Sequence, residues 1–178
     1  MNFRKKLSQR IHKDDINEIC FFVQDNNKQK QALFRLIYDS DDTISYQALW
    51  VFTNFDFKQN EWLYPKQNEL IDYVLICSHS GKRRLLLALL LRQPLSTPIR
   101  VDFLNFCIER MVSTGEPPGI QSLCLKLAYE LCLHNPDLLQ EFSAILEMTD
   151  FEVFSPAIQC ARKNIVQAMK RRKSIQLI

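Results

Sequence analysis

Apolar residues recur every three or four positions along most of the chain. Val101, Leu104, Ile108 and Met111 step in this way, as do Ile120, Leu123, Leu127 and Leu131. Ile44, Ala48, Val51 and Phe55 repeat the pattern, and Leu70, Val74 and Cys77 line one face of a segment that Pro65 opens. A helix completes a turn in about 3.6 residues, so this spacing gathers the apolar side chains on one stripe. No window of four or more residues alternates convincingly with period two, as a half-buried strand would. The pattern predicts helices at about 3–12, 14–24, 27–38, 43–55, 66–78, 81–92, 98–113, 119–133, 136–147 and 156–172. The expected fold class is all-α.

Proline and capping residues punctuate these stripes. Thr97-Pro98, Pro117-Pro118, Asn135-Pro136 and Ser155-Pro156 each place proline where a helix is due to start, a position at which the missing N–H costs nothing. Thr97, Asn135 and Ser155 are good N-caps, and Asp41-Asp42 ahead of Thr43 reads as another. Connections are mostly short, which predicts antiparallel neighbours; 56–64 and 114–117 are the roomier loops.

The helices repeat. A shift of 38 lays 45–52 on 83–90, and a further 38 brings Leu86, Leu89 and Leu90 onto Cys124, Leu127 and Ala128. A shift of 37 then reaches Ala161, Asn164 and Ile165. A two-helix unit of this length suits an α-solenoid, in which each hairpin buries one face against its neighbours. The segment Asp41-Asp42-Thr43-Ile44-Ser45-Tyr46-Gln47-Ala48-Leu49-Trp50-Val51-Phe52 resembles the second helix of a HEAT or armadillo repeat, with an acidic cap leading into an alanine-centred stripe. The chain is also similar to small bacterial HEAT-like repeat proteins, with Ser-Pro-Ala-Ile-Gln-Cys-Ala-Arg-Lys-Asn-Ile (155–165) as the closing helix. The resemblance covers most of 27–172 and implies an α-α superhelix, a right-handed solenoid of about four helical hairpins. Residues 1–178 are then one α-solenoid domain with repeat units near 14–55, 56–93, 94–134 and 135–173, and a mobile tail over 174–178.

Composition adds limits. With 178 residues, 47% of them hydrophobic, the chain can bury a core without disulfides or metal. Three glycines are too few for a sheet protein built on tight turns. The net charge of +3 hides a segregation: residues 1–13 and 162–178 carry eleven bases and no acid. The body between them holds 12 bases against 20 acids, or −8. Basic ends read as solubilising, or as a tether for an acidic partner. The six cysteines have no C-x-x-C spacing and sit among apolar neighbours, which fits buried free thiols in a reducing compartment. The basic, polar start does not look like a secretion signal, and the longest apolar run has seven residues, far short of a membrane span. A cytoplasmic protein is expected.

Motifs for catalysis are missing: there is no G-x-x-x-x-G-K-[ST], G-x-G-x-x-G, G-x-S-x-G or H-E-x-x-H, and the three histidines are scattered. No catalytic residue, cofactor or metal is assigned. The best candidate site is the run from Ser78 to Arg84, with His79, Ser80, Lys82, Arg83 and Arg84 at the start of an apolar helix. Backbone N–H groups and these cations suit a phosphate or carboxylate. Alternatively Ser80 caps the helix and the arginines pair with acids such as Asp72. Cations at a helix N-terminus oppose its dipole, so an anion is needed from inside or outside the chain. Tyr46 and Trp50, four apart and off the apolar stripe, together with Trp62, form a second candidate as peptide anchors or as core aromatics.

The expected function is non-enzymatic: a scaffold that binds a protein or peptide on its concave face through Tyr46, Trp50, Arg83 and Arg84. The alternative is a nucleic-acid-binding protein resembling the HEAT-like alkylpurine DNA glycosylases, with Trp50, Asp72 and Arg84 in the aromatic, acid and arginine roles. The body's −8 disfavours that alternative. The closing helix is expected to bury Ile158, Ala161, Ile165 and Ala168 against Leu139, Phe142 and Leu146.

Overall fold

Short polar side chains set several of the helix starts. Asp41 accepts from the N–H groups of Thr43 at 2.8 Å and Ile44 at 3.4 Å. Asn26 accepts from Gln29, and Asn135 from Asp137 and Leu138. Each bond satisfies an amide that has no partner within its helix. The computed structural model describes residues 1–176, and the regular structure among them is helical, with no strand. The chain divides into two compact units, Met1–Lys66 and a second from Gln67 onward.

The first unit holds α1 (Phe3–Leu7), α2 (Lys13–Val23), α3 (Asn27–Arg35), α4 (Asp42–Thr53) and α5 (Phe57–Asn60), with 3-10 turns at Leu36–Tyr38 and Glu61–Lys66. α4 is its spine and packs against α1, α2 and the turn after α3. Phe34 and Phe52 are buried, and Trp62 stacks on the Phe52 ring at 6.3 Å while meeting Phe34 edge-on at 5.8 Å. The Lys66 ammonium lies 4.8 Å and 4.7 Å from the Phe34 and Trp62 rings, so Trp62 is a core aromatic with a cationic lid.

Two expectations change here. The first helix was expected to run to residue 12 and stops at Leu7. The buried Gln47 side chain donates to the carbonyls of Leu7 at 2.6 Å and Gln9 at 2.8 Å and accepts the Ile11 N–H at 2.9 Å. A longer helix would pair the Ile11 N–H with the Leu7 carbonyl, and Gln47 takes both. The 56–64 stretch, expected as a roomy loop, is helical. Asp56 and Gln59 form a reciprocal capping box, with Gln59 N–H to the Asp56 carboxylate at 2.7 Å.

The second unit holds α6 (Gln67–Ile76), α7 (Ser80–Leu91), α8 (Val101–Met111), α9 (Pro118–Cys132), α10 (Pro136–Met148) and α11 (Pro156–Arg171), with a 3-10 turn at Phe151–Val153. α9 is the hub, packing against α7, α8, α10 and α11; α6 packs against α7 and α8. The second helices of successive hairpins, α7, α9 and α11, therefore lie side by side. α8 starts at Val101, not at the expected Pro98. The Gln67 side chain accounts for the delay: it donates to the Pro94 carbonyl at 3.0 Å and accepts the Ser96 N–H at 2.9 Å, holding that segment out of the helix.

The repeat register is visible in burial. Leu86, Leu89 and Leu90 of α7 and Cys124, Leu127 and Ala128 of α9 are buried, as are their counterparts Ala48, Val51 and Phe52 in α4. In α11 the equivalents Ala161 and Ile165 are buried but Asn164 is exposed. That helix buries Ile158, Ala161 and Ile165, with Ala168 half-buried, and its main neighbour is α9, not α10 as expected. Arg162 reaches the Leu146 carbonyl, at 3.4 Å, while its guanidinium covers the Phe151 ring.

Candidate partner-binding face

The basic run at the start of α7 splits into inward and outward residues. His79, not Ser80, caps the helix: its Nδ1 accepts the Lys82 N–H at 3.2 Å, while Ser80 is the exposed first residue of the helix. Lys82 is buried, with its ammonium 6.0 Å from the Tyr73 ring. Arg83 turns back into the unit. Its Nη2 donates to the Cys77 carbonyl at 2.7 Å, and its Nη1 pairs with Glu116, whose side chain is only 5% exposed. Arg110 pairs with the same carboxylate at 2.8 Å. The anion that the dipole argument required is thus Glu116, brought in from 33 residues away. Asp72, the acid expected to serve the arginines of α7, pairs instead with Arg100 at 2.8 Å. Only Arg84 points outward. Its Cδ lies 3.4 Å from the position that a Cβ on Gly119 would occupy, so the arginine stem passes the start of α9 at about van der Waals contact.

The 38-residue register places Arg84 in line with Tyr46 of α4 and Ser122 of α9. One turn on, Trp50, Ala88 and Lys126 share a position. All six are half-buried or exposed, on helices whose opposite stripe is buried. Tyr46, Trp50 and Arg84 therefore occupy the open positions of the second helices; Lys82 and Arg83 do not. Each compact unit presents its own part of this set, Tyr46 and Trp50 in the first and Arg84, Ser122 and Lys126 in the second. Lys126 escaped the sequence reading, although the same register shift points to it.

The C-terminal segment, expected as a mobile tail over 174–178, is tied down through Gln176; Leu177 and Ile178 lie outside the described residues. α11 ends at Arg172 in the left-handed conformation, φ 48°, with the Lys173 N–H returning to the Ala168 carbonyl. This reversal carries the chain over the C-terminal ends of α7 and α9. The Tyr129 hydroxyl donates to the Lys173 carbonyl at 2.6 Å. Glu130 accepts from the Ser174 hydroxyl at 3.0 Å and the Ile175 N–H at 2.6 Å. The Gln176 amide donates to the carbonyls of Leu91 at 2.9 Å and Gln93 at 2.8 Å. Beside it lies a cavity of about 460 Å³, lined by Arg92, Lys126, Asn164, Ile165, Ile175 and Gln176 among others. The signal for this contact was a lone glutamate inside the apolar run 127–133, because a buried carboxylate needs donors.

The six cysteines are unbonded thiols, and Cys160 alone among them is exposed. Burial pushes Cys20 up to about 11 and Cys132 up to about 12, and holds Cys107 well above its ordinary range. None of these three is a ready nucleophile at neutral pH. Among the described residues, no group of three or more His, Cys, Asp or Glu is placed to hold a metal ion. No helix there is long and apolar enough to cross a membrane.

A family model described as a HEAT repeat domain matches residues 3–169, nearly the whole chain. No curated protein and no solved structure is significantly similar to it. The register of buried triads, the paired helices and the extent of that match lead to one assignment: the chain belongs to the HEAT-repeat family.

Proposed function

We propose that this HEAT-repeat protein is a non-enzymatic scaffold that binds a protein or peptide partner on the open face of its second helices. One observation carries the reading. At equivalent positions of α7 and α9, Arg84 is exposed and Ala88, Ser122 and Lys126 are half-buried, while the opposite stripe is fully buried. A helical repeat that leaves the same positions open in successive units offers a continuous surface to a long ligand. Arg84 and Lys126 give that surface in the second unit a basic character against an acidic body, which favours a partner with acidic residues. In the first unit, Tyr46 and Trp50 supply aromatic anchors at the matching positions. Arg83 is not part of this surface, since it is held inward by Glu116 and the Cys77 carbonyl. The protein works in a reducing compartment, the cytoplasm, a reading supported by its six free thiols.

Affinity capture from native extract, run in parallel with the wild type and with Arg84→Glu combined with Lys126→Glu, tests this. The expected result is a partner retained by the wild type and lost, at least tenfold, by the charge-reversed variant. Equal recovery by both would sink the assignment of this face.

A further inference from the structure

We propose that the end of the α7–α9–α11 layer crossed by residues 173–176 is a binding site for an extended polypeptide segment, occupied here by the chain's own C-terminal strap. The occupant it would take in trans is a segment of a second protein with a hydroxyl residue, an aliphatic residue and a long side chain ending in a hydrogen-bond donor, in that order. The inference deepens the scaffold reading and rests on it.

The contacts read a backbone as much as side chains. Tyr129 meets a main-chain carbonyl and Glu130 a main-chain N–H, which any extended segment presents. The Ser174 hydroxyl fills the second oxygen of Glu130, and the Gln176 amide spans two carbonyls at the end of α7. Those carbonyls accept only, so the third residue of a partner must donate: glutamine or lysine fits and glutamate does not. Glu130 is buried, and the hydrogen bonds described for its carboxylate all come from the strap. When the strap lifts, water or a partner must supply the donors to that carboxylate, so a segment that presents both a hydroxyl and a main-chain N–H can take the strap's place.

Two features separate the strap from a packed structural element. Ser174 is exposed and Ile175 and Gln176 are only half-buried, so little apolar surface holds them. A cavity of about 460 Å³, lined also by Arg92, Lys126 and Asn164, borders the strap at Ile175 and Gln176. A tethered strap competes at an effective concentration on the order of millimolar, so it masks the site until a better segment arrives.

The test uses the full chain and a fluorescein-labelled synthetic peptide with the sequence of residues 171–178. Ile175→Pro removes the N–H given to Glu130 and leaves the groove residues intact. The expected result is 1:1 binding at least tenfold tighter to Ile175→Pro than to the wild type, abolished when Glu130→Ala is added. A folded Ile175→Pro variant that ignores the peptide would overturn the proposal, leaving the strap as a cap. So would a doubling of mass in sedimentation, which would make the occupant a second copy's tail. If Ile175→Pro fails to fold, hydrogen exchange on the wild type decides. The Ile175 amide should exchange at least a hundredfold faster than those of Leu127 and Ala128, and equal protection would refute a detachable strap. Loss of the captured partner by the Arg84→Glu, Lys126→Glu variant, with no peptide bound to Ile175→Pro, would leave the scaffold reading standing and this one fallen.

Discussion

At the scale of single residues, the Arg83–Glu116–Arg110 triad shows how a charged side chain is committed to structure. Side-chain exposures of 11% for Arg83 and 5% for Glu116 put this pair largely out of water. Breaking such a pair from one side leaves an uncompensated charge, a cost of about 3–5 kcal/mol. Glu116→Ala should therefore lower the urea midpoint by an amount matching roughly that loss, while exposed Arg84→Ala stays within about 0.5 kcal/mol. Equal effects would mean that the carboxylate is not where the arginine's charge is balanced. The thiols give a second prediction at this scale. At pH 8 Cys132, pushed up to about 12 by burial and by the nearby Glu141, holds essentially no thiolate, and buried Cys107 likewise resists. Alkylation followed by mass spectrometry should mark exposed Cys160 first, and the buried set only after denaturant is added.

At the scale of elements, buried glutamines act as clamps on helix ends and on the segments between helices. Gln47 holds 7–11, Gln59 the Cys20 carbonyl, Gln67 the 94–96 segment and Gln121 the Ser113 carbonyl. An amide side chain both donates and accepts, so one residue can satisfy two backbone groups that the end of a helix leaves open. Gln47→Ala should cost about 1–3 kcal/mol, because the Leu7 carbonyl and the Ile11 N–H lose their partner while buried. The loss should be matched by faster hydrogen exchange confined to residues 8–12; uniform loss of protection would contradict a local clamp. In α11, Ile165 is fully buried against α9, and Ile165→Asp should destabilise by several kcal/mol through a carboxylate with no partner. Chemical denaturation reads this directly, and a change below about 1 kcal/mol would show that the α9–α11 seam is not a core.

At the scale of the whole molecule, charge is the deciding term. The two basic ends and the −8 body make the net +3 a poor guide to any surface. At the open register positions of α7 and α9 the cations are Arg84 and Lys126, few for the counterion release that drives duplex binding, and the densest group of this unit's other bases lies on α11 and the segment after it. An electrophoretic shift assay with duplex DNA at about 50 mM salt should show no complex. A salt-dependent shift at that concentration would revive the glycosylase-like alternative. Asp72, its imagined acid, is already held by Arg100, whose own charge the pairing with Asp102 and Asp72 reinforces.

The local grammar of this chain determined its helices. Stripes at three- and four-residue spacing, caps such as Asp41 and Asn135, and the 38-residue echo from Ala48 to Leu86 to Cys124 were all legible. Helical hydrogen bonds close within four residues, so the information that makes them sits in the same few letters. In the 56–64 stretch the helical signal is the Asp56–Gln59 capping box and not an apolar stripe. Tertiary structure decided the fate of the polar residues. Nothing near position 47 says that its amide will end α1 40 residues earlier, and nothing near Arg83 names Glu116. The choice among Ser80 and His79, Asp72 and Glu116, a free tail and a strap was made by which segment the packing delivered to each buried group. A buried donor or acceptor must be satisfied, but its sequence neighbours do not specify by whom.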